Sequence, residues 1–271
     1  MKDVDCVRFL QWALPRNQMR WPGFRKVRGQ VCKRITKRIE QLQLADTNAY
    51  QDYLVHQPHE WPQLDKLCRV TISRFYRDKL VFAQLAQQVL PALAARAQAR
   101  ENRLIHAWSV GCGSGEEPYS LVILWYHLLA AHFPAIQFSI MATDVDCHLL
   151  ERCAHACYDA STVRNLPADM RSAAFIKTAD QLCLKPRYKS AVTFAQQDIR
   201  ETMPKQQFDL ILCRNLVFTY FDEALQDKIL HDLYKHLTPH GWLVLGVHEK
   251  LPADCHDFIV FSPRLGLYQK K

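Results

Sequence analysis

A short apolar run, Arg103–Val110, leads directly into Gly111-Cys112-Gly113-Ser114-Gly115-Glu116-Glu117, and a helical pattern over Pro118–Ala131 follows. A second apolar run, Gln137–Ala142, then delivers Thr143-Asp144. Strand, glycine loop, helix and a second strand ending on an acid constrain this chain more than any other feature. Glycines let backbone approach a ligand where a Cβ would collide, and the helix start presents free N–H groups. An acid at the tip of the second strand is placed to accept hydrogen bonds from two ribose hydroxyls. The loop is G-C-G-S-G rather than G-x-G-x-x-G, and it runs into two glutamates that would repel a pyrophosphate. An adenosine-bearing cation suits it better. S-adenosylmethionine, with a sulfonium, an ammonium and no phosphate, meets that description.

The surrounding pattern extends this unit. Asp146–Cys157 reads as helix, Phe208–Cys213 as a buried strand and Glu223–Leu237 as helix. Thr238-Pro239-His240-Gly241 then turns into a strand at Trp242–Val247. Strands alternating with helices imply a parallel sheet covered on both faces. The interval Tyr158–Ala191 is too long and polar for a plain crossover and is expected to be an inserted lobe with some β structure. Before residue 103 the texture is helical. Val27, Val31, Ile35 and Ile39 recur every four residues, while Arg25, Lys26, Arg28, Lys33, Arg34, Lys37 and Arg38 fan over the other face. Further helices are expected at Asn48–Gln57, Trp61–Arg69 and Phe75–Gln98. The expected division is a helical domain with a basic helix at 1–90, a connector at 91–102 and an α/β domain at 103–271.

With 271 residues and 49% apolar content the chain can bury a core unaided, and no apolar run reaches membrane-spanning length. The start lacks a leader pattern, so a cytoplasmic protein is expected. The ten cysteines are scattered and are expected to be reduced core residues. Cys147, His148, Cys153, His155 and Cys157 cluster but match no metal-ligand spacing, so no metal is expected. The net charge of +8 suggests an acidic partner. Nucleic acid is disfavoured, because neither an aromatic-basic RNA module nor an N-P-P-Y-type motif is present.

Several motifs resemble one family. Trp108-Ser109 through Gly115-Glu116-Glu117-Pro118-Tyr119-Ser120 is similar to the W-S-x-x-x-x-x-G-E-E-P-Y-S signature of the CheR family, the chemotaxis-receptor protein-glutamate O-methyltransferases. Thr71-Ile72-Ser73-Arg74-Phe75-Tyr76-Arg77 resembles N-x-T-x-F-F-R, and Ala142-Thr143-Asp144-Val145-Asp146 resembles A-[ST]-D-I-D. Cys213-Arg214-Asn215 with Tyr220-Phe221-Asp222 resembles C-R-N…Y-F-D, and Leu237–Glu249 resembles L-x-P-G-G-x-L-x-x-G-H-S-E.

The resemblance implies a Rossmann-like class I methyltransferase domain with a small inserted β lobe, preceded by an all-helical domain. It implies S-adenosylmethionine as cofactor and S-adenosylhomocysteine as product. Arg77 and Glu117 would hold the methionyl end, with Thr71 and Ser73 beside them and Gly111 and Gly113 in the loop. Asp144 would take the ribose, Asp198-Ile199 would flank the adenine, and Asn215-Leu216 would line the floor. Arg77 and Tyr220 are the expected catalytic pair, although Tyr220 could equally be packed core. The basic positions Arg25, Arg28, Lys33, Arg34, Lys37 and Arg38 would face an acidic protein substrate, or form an ordinary solvated face. The sequence departs from the pattern at Thr71 and Ser73, at the four-residue spacing between Asn215 and Tyr220, and at Gly246-Val247-His248-Glu249. A small-molecule or other side-chain acceptor therefore stays open, as does a non-enzymatic cofactor sensor. The sequence leaves the oligomeric state open.

Overall fold

The computed structural model describes residues 2–271. The chain forms two compact units, one of residues 1–71 with 216–226, the other of 72–215 with 227–271. The expected boundary near residue 90 therefore moves back to 71/72. The amphipathic stretch from Lys79 to Gln98 is not a connector. Val81, Phe82, Leu85, Val89, Leu90 and Leu93 are buried in the core of the α/β unit. A repeating apolar face shows that a helix is buried, but not against which neighbour.

The helical unit contains α-helices Asp3–Ala13, Arg28–Gln41, Thr47–His56 and Trp61–Cys68. The four-residue apolar spacing does its expected work, since Val31, Ile35 and Ile39 are all buried. Asp46 caps Thr47–His56 by accepting from the amides of Asn48 and Ala49 at 2.9 Å each. The segment 216–226 returns to this unit, and Met19 bridges to Phe221 in antiparallel fashion. Gly23 is obligatory at that return, because a Cβ there would lie 2.2 Å from the carbonyl oxygen of Thr219.

The α/β unit is built on a seven-stranded sheet. Its strands are β1 (Leu104–Val110), β2 (Gln137–Asp144), β6 (Val192–Gln196), β7 (Phe208–Cys213), β8 (Leu237–Leu245), β9 (Phe258–Ser262) and β10 (Leu267–Lys270). Three short strands, β3 (Cys157–Tyr158), β4 (Phe175–Lys177) and β5 (Leu182–Leu184), form a separate sheet in the interval read as an inserted lobe. The main order is β6-β2-β1-β7-β8-β10-β9. The first five strands are parallel, and β10 runs antiparallel to both β8 and β9. The order reverses between β1 and β7, and a ligand crevice opens at the carboxyl ends of strands at such a switch point. β7 is buried at all six positions, as expected of a central parallel strand.

The expectation of ten reduced cysteines is overturned for four of them. Cys6 is bonded to Cys32 between the first and second helices, and Cys157 to Cys183 between β3 and β5. Each pair is 26 residues apart in sequence, and only the fold brings the α-carbons to 5.9 and 4.0 Å. Among the described residues, no helix is long and apolar enough to cross a membrane.

Candidate functional site

The glycine loop closes on its neighbours through backbone geometry. Gly111, Gly113 and Gly115 have φ of 66°, 59° and 90°, values that L side chains rarely adopt. The Cys112 amide donates to the Thr143 carbonyl at 3.0 Å, tying the loop to the end of β2. Trp108 donates its indole N–H to the Thr143 hydroxyl at 2.9 Å from within the core. The helix Glu116–Leu124 then starts with two acids in its first turn, where the positive end of the helix dipole favours them.

Asp144 stands where the sequence placed it, at the tip of β2. One carboxylate oxygen accepts from the Gly113 amide at 2.9 Å and the other from the Asp146 amide at 3.0 Å. Burial raises its pKa, and those two amide hydrogen bonds oppose the rise. Next to it, the Gln197 amide donates to the Asp144 carbonyl at 3.0 Å, bringing 198–199 to the same edge. Ile199 is buried there. The carboxylate of Asp198 accepts from Arg200 side-chain and backbone N–H groups, with the salt bridge at 2.6 Å. Its side chain thus closes a local turn, and Ile199 offers the apolar surface.

At the other side of the loop, Glu117 accepts from the Ser109 hydroxyl at 2.9 Å and from the Arg214 guanidinium at 3.0 Å. Arg214 also reaches Asp78 at 2.6 Å and the Arg77 carbonyl at 3.3 Å. Arg77 itself turns back to donate to the Ile72 carbonyl at 2.6 Å. It lies between Tyr76 and Asp78, which both adopt left-handed φ (56° and 62°). Strain of this kind concentrates where a side chain must be aimed. Burial raises the pKa of the Glu116 carboxyl, Ser73 being among the groups that oppose the rise, and Glu116 Oε2 has no hydrogen-bond partner among the described residues. Asn215, with φ 56°, follows Arg214, and its amide donates to buried Glu249 at 2.7 Å.

The α/β unit thus gathers Ser73, Arg77, Gly111, Gly113, Glu117, Asp144, Ile199 and Asn215 at the carboxyl ends of β1, β2 and β7. Thr71, Leu216 and Tyr220 belong to the helical unit. Thr71 is exposed there, and the Tyr220 ring meets Phe24 edge-on at 5.1 Å between centroids. The six basic positions also lie in that unit and divide by role. Arg38 makes a paired bridge to buried Glu60 (2.8 and 2.7 Å), Arg28 bonds Asp3, and Arg34 donates to the carbonyls of Leu67 and Arg69. Arg25, Lys33 and Lys37 are exposed. Sequence reasoning gave no role to Arg214, Glu249 or Ser109, and took Glu116 only as part of the acidic loop that disfavours a pyrophosphate. The available signal was charge in apolar company: an arginine directly after a buried strand, and acids flanking glycines.

The donor set fits a cationic adenosyl cofactor. Carboxylates of Glu116, Glu117 and Asp144 surround the loop, and one buried carboxylate oxygen lacks a partner. Comparison with known proteins agrees. The family described as CheR methyltransferase, SAM binding domain, matches residues 71–265. Chemotaxis protein methyltransferase 2 of Vibrio cholerae is 30% identical over 250 residues, covering 88% of this chain and 84% of its own. An uncharacterized 104.1 kDa protein of Rhodobacter capsulatus is 29% identical over 243 residues. That match spans 89% of this chain but only 25% of the Rhodobacter protein. Chemotaxis protein methyltransferase 1 of Vibrio cholerae is 32% identical over 202 residues, 72% of this chain and 70% of its own. With the glycine loop, the acid at the tip of β2 and the strand order all in place, the chain belongs to the CheR family of S-adenosylmethionine-dependent methyltransferases.

Proposed function

We propose that this enzyme methylates the side-chain carboxylate of glutamate in an acidic protein segment, acting in the cytoplasm. The observation that carries the reading is the match to a chemotaxis protein methyltransferase over 88% of the chain, a longer stretch than the region 71–265 matched by the family's cofactor-binding domain. In the proposed arrangement Arg77 and Glu117 hold the methionyl carboxylate and ammonium, with Thr71 and Ser73 beside them. Asp144 holds the ribose, Asp198-Ile199 flank the adenine, and Asn215-Leu216 line the floor. S-adenosylmethionine, when bound, supplies an electrophilic methyl group on a cationic sulfur. A glutamate acceptor has an ordinary pKa of about 4.3 and is already ionised at neutral pH. The chain's own task is then to align the two partners and exclude water, without a strong general base. Tyr220 is assigned to the acceptor side of this alignment.

The exposed cations Arg25, Lys33 and Lys37 support an acidic protein partner, because complementary charge steers encounter and sets register. Arg28, Arg34 and Arg38 hold that helix in place through their internal partners. The test uses methyl-labelled S-adenosylmethionine and an extract of the source cell, followed by mild base. Labelled protein that releases volatile methanol supports a carboxyl methyl ester. Base-stable label, or label in small molecules or RNA, overturns the acceptor assignment and leaves the cofactor site intact.

A further inference from the structure

The buried guanidinium of Arg214 is a charged group at the site to which the family motifs assign no task. Its side chain is 2% exposed and sits directly after β7. One arm of its fork binds Glu117 and the other binds Asp78. The Phe82 ring backs it at 5.6 Å from Cζ, and its Nε has no hydrogen-bond partner among the described residues. A guanidinium suits such a post, because its planar fork presents donors in fixed directions and its charge persists when buried.

The two carboxylates it joins come from different segments. Glu117 opens the helix after the glycine loop and is further fixed by the Ser109 hydroxyl. Asp78 ends the left-handed turn that carries Arg77, and the Arg77 carbonyl also accepts from Arg214. One cation between two anions leaves the cluster with a net negative charge. That excess suits an ammonium or sulfonium, and a phosphate would be repelled.

We propose that Arg214 is a positioning residue for cofactor binding. It holds the Glu117 carboxylate and the Tyr76–Asp78 turn where they can grip the methionyl end of S-adenosylmethionine. The inference rests on the reading of Glu117 and Arg77 as the residues that take that end.

Two ligands separate positioning from mere structural support. S-adenosylhomocysteine carries the amino-acid arm, and 5′-methylthioadenosine keeps the adenosine but lacks that arm. Calorimetric titration of Arg214→Met is expected to show S-adenosylhomocysteine affinity lowered at least about tenfold, with 5′-methylthioadenosine within about twofold of wild type. Arg214→Lys keeps the charge but cannot bridge two carboxylates through one planar group, so its loss should fall between. The lysine variant also carries the test if the methionine variant does not fold. An equal loss for both ligands means a structural role and overturns the proposal, as does undiminished S-adenosylhomocysteine binding. Glu117→Gln is titrated in parallel. If it binds S-adenosylhomocysteine as tightly as wild type, the reading of Glu117 fails and takes this inference with it. If Glu117→Gln weakens that ligand while both Arg214 variants do not, only the positioning role fails.

Discussion

Replacing Glu249 with alanine should destabilise this protein more than any exposed substitution. The Glu249 side chain is buried, and its Oε2 accepts from the amides of Asn215 and Gly246, both at 2.7 Å. It therefore ties the end of β7 to the end of β8 at the edge where the site lies. Hydrogen bonds to a charged group contribute about 1.5–3 kcal/mol each. Gly246 is buried, so its orphaned amide bears the full penalty, whereas Asn215 is partly exposed and water can replace some of the loss. The sum is about 3 kcal/mol, or a fall in Tm of roughly 6–12 °C at 2–4 °C per kcal/mol for a chain of this size. Glu249→Gln keeps a carbonyl acceptor of the same shape and should lose only about half as much. Differential scanning calorimetry of the two variants and wild type is the assay. A Tm for Glu249→Ala within about 1 °C of wild type would refute the reasoning, because the two amides would then have found other partners. A Cβ at Gly246 would lie 2.8 Å from both Asn215 Oδ1 and Glu249 Oε2, so Gly246→Ala should break the same junction.

Asp144→Ala removes the proposed ribose acceptor and should weaken S-adenosylhomocysteine binding about 10- to 100-fold by calorimetry, the equivalent of about 1.5–3 kcal/mol. Unchanged affinity would place the ribose elsewhere. Gly115→Ala forces an L residue to φ 90° and sets its Cβ 3.1 Å from the Tyr119 ring and 3.2 Å from the Cys153 sulfur. The backbone strain alone costs about 1–2 kcal/mol, visible as a lower Tm and weaker cofactor binding. Glu116 has a pKa raised by burial, so its stabilising contribution is complete below the unfolded carboxylate pKa and is lost as pH rises through the folded one. Glu116→Gln should therefore raise Tm at pH 8, with the gain shrinking toward pH 4. A gain that is the same at both pH values would contradict the burial argument.

The glycine loop, the acid at Asp144 and the alternation of strands and helices were legible in the sequence because each is a local pattern. Left-handed glycines, a buried apolar run and an acid at a strand end carry their meaning within a few residues. The four-residue spacing of Val31, Ile35 and Ile39 is of the same kind. The antiparallel strands β9 and β10 escaped notice because β9 is an edge strand whose Ile259, Val260 and Phe261 are all exposed, which blurs the alternation. The helix from Lys79 was read as a helix but assigned to the wrong unit, because its apolar face names no partner.

Relations between distant residues were settled only by the tertiary structure. Arg214 meets Glu117 across 97 positions and Asp78 across 136, and Asn215 meets Glu249 across 34. The two disulfides likewise depend on chain paths that no spacing rule gives. Half of the expected basic positions have partners within the chain: Arg28, Arg34 and Arg38 are engaged by Asp3, backbone carbonyls and Glu60. The physical reason is the same in each case. Propensity and periodicity act over one or two turns of chain, whereas a charge is placed by whichever partner the folded backbone brings within hydrogen-bonding distance.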